Sequence, residues 1–213
     1  MSRFRPLLLA LAINIACWVV FILFLILFYF AWLREYQMNW GATDEEVNRY
    51  MAGDELVLGA DLDATRAVEI EASPEQIWPW IVQMGYKRAG FYGFDKLDNG
   101  GIPSAENLIP EYQDLQIGDS IPLGGPYLQV VEMEPHKSML WVFMKGAGPW
   151  EGATWSWRLY KIDEKRTRLV SRLRQKYTLG SIQELIAWSL IDAVEILMMR
   201  TTLLGIKHRV ENT

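Results

Sequence analysis

From Leu7 to Leu33 the chain carries no charged side chain, and Asn14 is its one strongly polar residue. As a helix rising 1.5 Å per residue, this run spans about 40 Å, more than the ~30 Å hydrocarbon thickness of a bilayer. Aromatic residues crowd its far end (Phe28, Tyr29, Phe30, Trp32, then Tyr36 and Trp40), where amphipathic rings favour the headgroup level. A cleaved signal peptide has an apolar stretch of about 7–15 residues and a small-residue cleavage site. This run is longer, and Tyr29-Phe30-Ala31-Trp32-Leu33 offers no such site. The sequence therefore predicts a single-span anchor contacting the lipid bilayer through residues 7–33. Arg3 and Arg5 precede the run, whereas Arg34 and Glu35 cancel beyond it. The positive-inside bias then predicts a cytoplasmic N-terminus and an extracytoplasmic C-terminal domain. The expected division is residues 1–40, anchor and aromatic flank, and residues 41–213, a folded domain.

About 170 residues beyond the anchor suffice for one domain with a substantial core. The chain has 21 Lys+Arg and 26 Asp+Glu; setting aside Arg3, Arg5, Arg34 and Glu35 leaves 18 positive and 25 negative groups, net −7. An acidic domain has no electrostatic footprint for nucleic acid, so no nucleic-acid partner is expected. The single cysteine, Cys17, lies in the anchor, so the domain folds without disulfides and cysteine usage does not identify its redox compartment.

Thr43-Asp44-Glu45-Glu46 reads as a capping box opening a short helix to about Ala52, stopped by Gly53. Thr65–Ala72 alternates, placing Ala67 and Glu69 on one side and Arg66, Val68 and Ile70 on the other, as in a half-buried strand. Ser73-Pro74-Glu75-Gln76 then starts a helix bearing Ile77, Trp78, Ile81 and Val82, which Pro79 is expected to kink or shorten. A short helix is expected over Phe91–Leu97, and loop over 104–117. Strand patterns follow at Ser120–Leu123, Tyr127–Glu134, Ser138–Met144, Ala153–Ile162 and Thr167–Tyr177, at spacings suited to antiparallel hairpins. From Ser181 to about Arg209 the pattern is helical, with Leu185, Trp188, Ile191, Val194, Ile196, Leu197, Leu203 and Ile206 among its apolar positions. Asp192 and Glu195 in its middle argue against a second span. Strands followed by one long helix define an α+β domain whose curved sheet wraps that helix.

The block Ala64-Thr-Arg-Ala-Val-Glu-Ile-Glu-Ala-Ser-Pro-Glu-Gln-Ile-Trp-Pro-Trp-Ile-Val-Gln-Met-Gly resembles the opening strand and helix of the START-like helix-grip (SRPBCC, polyketide cyclase-like) superfamily. Gly90-Phe-Tyr-Gly-Phe-Asp-Lys-Leu-Asp-Asn, Ile109-Pro-Glu-Tyr-Gln-Asp-Leu, Ile117-Gly-Asp, Gly41-Ala-Thr-Asp-Glu-Glu and Leu204-Gly-Ile-Lys are similar to a bacterial subgroup of it. The resemblance covers roughly residues 41–209. It implies a seven-stranded antiparallel sheet gripping the C-terminal helix, with an apolar cavity between them; the sequence itself shows six strand segments. Function is left open, because that superfamily holds carriers and enzymes alike.

His136 and His208 stand apart without ligand spacing, so no metal is expected, and no cofactor motif is present. There is no G-x-S-x-G, and Gly180-Ser181 reads as a turn with Ser181 as N-cap. Asp95, Asp98, Glu106, Glu111 and Asp114 fall in the irregular segment. A buried Tyr92–Asp95 pair would orient a ligand carbonyl or serve as acid and base; the alternative is that these carboxylates are solvated or cap local backbone. Alternation turns Trp155 and Trp157, and Trp141 and Phe143 in the preceding strand, toward the interior, as cavity lining or as plain core. Arg168, Arg172 and Arg174 share a strand face read as solvated and paired with acids, the alternative being a buried arginine that holds a ligand carboxylate. The candidate ligand contacts are thus Tyr92, Asp95, Trp141, Phe143, Trp155 and Trp157. The leading expectation is an anchored binder or carrier of a small apolar ligand, lipid or polyketide-like. A cyclase or aromatase using the same cavity, and an interaction module with a filled core, are the alternatives.

Overall fold

The apolar run is helical throughout in the structure, a computed structural model that describes residues 4–177 and 180–213. Helix α1 (Phe4–Phe28) passes through one π-helical turn, Tyr29–Leu33, into α2 (Arg34–Met38). The wider turn falls at the aromatic cluster, where the Arg34 N–H donates to the Tyr29 carbonyl. This is the one helix among the described residues long and apolar enough to cross a bilayer. The side chains of Arg3, Arg5, Leu7 and Leu185, named above, lie outside those described. The chain divides into two compact units between Met38 and Asn39.

In the second unit, the Thr43 capping box forms as expected and starts α3 (Asp44–Asn48). The helix stops at Asn48, short of the expected Ala52, because the backbone turns extended at Arg49. Strand β1 (Leu62–Ile70) leads through the Ser73 capping box into α4 (Pro74–Val82), whose Ile77, Trp78, Ile81 and Val82 are all buried. Pro79 sits inside α4, which ends one turn later. The helix expected over Phe91–Leu97 shrinks to α5 (Asp95–Asp98), since Tyr92 adopts φ 60° and interrupts the preceding backbone. Segment 104–117 is loop with one 3₁₀ turn, Pro110–Tyr112. It holds no seventh strand.

Strands β2 (Ser120–Pro122), β3 (Tyr127–Glu134), β4 (Ser138–Phe143), β5 (Thr154–Lys161) and β6 (Thr167–Gln175) lie within a residue or two of their expected bounds. They form one antiparallel six-stranded sheet in the order β1-β6-β5-β4-β3-β2. Helix α6 (Ile182–Glu211) opens on a capping box of Ser181 and Glu184. It lies against the inner sheet face, where Arg66 of β1 meets Glu195 and Ser171 of β6 meets Met199. This is the α+β helix-grip arrangement. Gly205 permits its closest approach: a Cβ there would stand 2.1 Å from the Tyr92 carbonyl oxygen.

The outer sheet face departs from the expectation. Thr65 and Ala67 are as buried as Arg66 and Ile70, so β1 is covered on both sides. The cover is the lead-in segment 39–61, which packs Met51 on Ala67 and Val170. The arginines of β6 bind it rather than facing solvent. Arg172 donates from Nε to Thr65 Oγ1 (2.7 Å), from one terminal nitrogen to the Arg49 carbonyl and Asp54 Oδ2 (2.9 and 2.6 Å), and from the other to the Glu46 and Val47 carbonyls (both 2.8 Å). All five donors of the guanidinium are used. The same bonds explain the short α3, whose last carbonyls turn to Arg172 instead of continuing a helix. Arg168 bonds both oxygens of Glu46 and the Gly41 carbonyl, and Arg174 bonds Asp54 and Asp63.

Arg172→Met would remove a donor from the Glu46, Val47 and Arg49 carbonyls and from Asp54, all buried or part-buried bonds. The expected loss is about 3 kcal/mol or more, whereas Thr65→Ala, deleting one of the five bonds, should cost about 1 kcal/mol. Urea unfolding of the full chain in lipid nanodiscs, followed by tryptophan emission, measures both; equal small losses would show that the lead-in is not held by Arg172.

Candidate functional site

Between β4–β6, the loop carrying Phe91 and α5, and α6 lies a cavity of about 500 Å³. Phe143, Trp155 and Leu173 wall it from the sheet, and Ile191, Met198 and Met199 from α6. The α6 contributors recur every three or four residues, one face of a helix. Leu97, Leu190 and Val194 border the cavity and are themselves exposed, so it opens to the surface between apolar lips.

Three polar side chains border it: Asp98, Glu195 and Thr202. Glu195 is fully engaged, accepting from both terminal nitrogens of Arg66 at 2.7 and 2.9 Å; Arg66 itself is 0% exposed. Asp98 is different. Its Oδ2 accepts from the Phe94 N–H at 3.0 Å, but its buried Oδ1 has no hydrogen-bond partner among the described residues. Burial pushes the Asp98 carboxyl above the ordinary aspartate pKa, the nearby Asp95 charge pushes the same way, and the Phe94 N–H opposes them. Asp98 Oδ2 and Thr202 Oγ1 flank one glycine, lying 3.0 and 3.3 Å from where a Cβ on Gly93 would stand. The polar groups Asp98 and Thr202 therefore gather at one place in an otherwise apolar lining.

The six residues singled out from the sequence divide between this cavity and its support. Phe143 and Trp155 border it. The Trp155 indole N–H donates to Ser171 Oγ at 2.9 Å, and that hydroxyl donates on to Met199 Sδ at 3.7 Å. Trp141 and Trp157 share the inner face but are buried behind the lining, with the Trp141 ring 5.2 Å from Trp155 and 5.5 Å from Trp157. Tyr92 is buried away from the lining: its phenol donates to the Trp80 carbonyl (2.9 Å) and accepts from Gln83 Nε2 (3.0 Å). Burial pushes that phenol well above the ordinary tyrosine pKa. Asp95 accepts the Ser104 hydroxyl and also stands outside the lining.

Sequence reasoning did not select Asp98, Glu195, Thr202 or Arg66 for the site. A signal existed for one pair: a carboxylate midway along an apolar helix face and an arginine on the apolar side of β1 need each other. Nothing in the sequence separated Asp98 from four neighbouring carboxylates. Among the described residues no cluster of three His, Cys, Asp or Glu side chains is placed to hold a metal ion. His136 rests edge-on against Trp78.

No family model and no curated protein matches this chain. Solved structures similar to it include a protein of Thermobifida fusca (12% identity over 70% of this chain and 93% of that one, TM-score 0.48). Others are the Aha1 dimer of Colwellia psychrerythraea (18%, 70% and 96%, TM-score 0.45) and the Zhui aromatase/cyclase of Streptomyces sp. R1128 (12%, 70% and 93%, TM-score 0.44). At this distance the likenesses carry no functional argument, and the site rests on its own geometry.

The raised carboxyl pKa makes Asp98 a liability at neutral pH. Folding favours the protonated form, so its contribution is whole below the ordinary carboxylate range and is lost as pH rises through the folded value. Asp98→Asn keeps an acceptor for the Phe94 N–H and removes the charge. The variant should melt above wild type at pH 7.5, by a margin that shrinks as pH falls toward 4. Thermal unfolding at both pH values tests this, and an equal or lower Tm at pH 7.5 contradicts it.

Proposed function

We propose that this chain is a membrane-tethered binding domain that takes a small apolar molecule into the cavity between its sheet and α6. The cavity is the observation that carries the reading: about 500 Å³ falls within the ~300–1,000 Å³ typical of small-molecule sites, and its walls are mostly apolar with few polar groups. Phe143 and Trp155 are the aromatic contacts of the ligand in this reading. Trp141 and Trp157 hold those rings from behind, and Tyr92 and Asp95 fix the loop that carries Phe91 and Asp98. The exposed lips Leu97, Leu190 and Val194 give an apolar molecule a route in and out without crossing a polar rim.

The N-terminal helix supplies the tether. It ends at Met38, next to the first residue of the domain, so the attachment is short. With Arg3 and Arg5 just before the helix, the positive-inside bias favours a cytoplasmic side there and an extracytoplasmic domain. A binder held this way draws its ligand from the bilayer or returns it there, which is the carrier role.

Photolabelling of the full chain in nanodiscs with an uncharged aliphatic diazirine tests the reading. Peptides containing Trp155 and residues 190–202 should be labelled, alongside the N-terminal helix as an internal control. Leu173→Phe, which fills cavity space, should lower cavity labelling about tenfold and leave helix labelling unchanged. A labelled helix with an unlabelled cavity would overturn the proposal.

A further inference from the structure

We propose that the cavity selects its ligand by head group, taking apolar molecules that end in a hydroxyl hydrogen-bonded to Asp98 and rejecting those that end in an anion. This rests on the apolar-ligand reading above and adds the chemistry of the ligand's polar end.

The polar equipment of the lining supports a donor head. Two of its three polar side chains are carboxylates, Asp98 and Glu195, and the third is the hydroxyl of Thr202. No Lys, Arg or His borders the cavity among the described residues. Arg66, the guanidinium behind Glu195, directs both terminal nitrogens at that carboxylate and is wholly buried, so it offers an anionic head nothing. Asp98 is 7% exposed and borders the cavity, and its Oδ2 accepts from the Phe94 N–H with capacity for a second donor. A ligand donor on that oxygen makes a charge-assisted hydrogen bond in a water-poor space. A hydroxyl donates to Asp98 Oδ2 and accepts from Thr202 Oγ1, which stands beside the same glycine as that oxygen. An anionic head brings a second negative charge to Asp98 in a water-poor space and, beside that carboxylate, meets the Thr202 hydroxyl but no cation among the described residues, a mismatch binding sites punish heavily.

The experiment measures displacement of the aliphatic diazirine from the cavity of the full chain in nanodiscs at pH 8, using competitors of equal chain length. The competitors are 1-dodecanol, dodecane, dodecanoate and dodecanesulfonate. Dodecanol should displace the probe at a concentration at least tenfold below either anion and several-fold below dodecane. In Asp98→Asn, whose amide donates as well as accepts, the gap between alcohol and anions should close to about threefold; Asp98→Ala provides a second reading of the same gap. Equal displacement by alcohol and anions in wild type overturns the inference, as does a gap that both variants leave unchanged. Those outcomes leave the apolar-ligand reading standing, whereas failure of the diazirine to label the cavity at all removes that reading itself.

Discussion

The fork between Arg66 and Glu195 fixes how α6 sits, and with it everything the cavity presents. A guanidinium with no exposed surface projects from β1, and its counter-charge comes from a helix far along the chain. Removing two such ions from water costs several kcal/mol each, so the pair adds little net stability over a well-packed apolar alternative. What it contributes is position. Advancing α6 by one residue turns its faces by about 100° and leaves Arg66 facing a side chain that cannot receive it. A one-residue shift of the helix therefore leaves an uncompensated buried charge. The seating that satisfies Arg66 aims Ile191, Met198, Met199 and Thr202 at the sheet.

The outer face uses the same device for a different end. Arg172 converts a loop into a layer: the lead-in 39–61 has a five-residue helix and a small apolar cluster, too little to hold it by burial alone. Three backbone carbonyls, a hydroxyl and a carboxylate converging on one guanidinium give that segment a single conformation. Strands β1 and β6 are then covered on both faces, by α6 inside and by the lead-in outside.

Local chemistry was legible in the sequence and long-range pairing was not. The capping boxes at Thr43 and Ser73 and the N-cap at Ser181 are local signals that name helix starts directly, and all three form, Ser181 as a full box with Glu184. Strand alternation put Trp141, Phe143, Trp155 and Trp157 on one face, where the register places them. The same alternation misread the other face as solvated, because nothing local announces that residues 46–54 will return to cover Arg172. Helix ends suffered likewise: α3 stops where a distant guanidinium claims its carbonyls. For the site, Tyr92 and Asp95 were conspicuous by neighbourhood, yet their polar atoms are spent on Trp80, Gln83 and Ser104. Asp98 matters through its burial beside the cavity, and burial of one acid among five leaves no mark in a sequence.

The buried carboxylate of Asp98 and the cavity it borders are best understood together. A sealed void in a core costs about 24 cal/mol per Å³; this space opens to the surface between apolar lips, so its cost is the wetting of mostly apolar walls. Larger side chains would shrink such a space, and an amide would remove the buried charge of Asp98, each a gain in stability. A molecule with an apolar body and a donor at its end would relieve both costs in one binding event, covering the apolar wall and bonding Asp98.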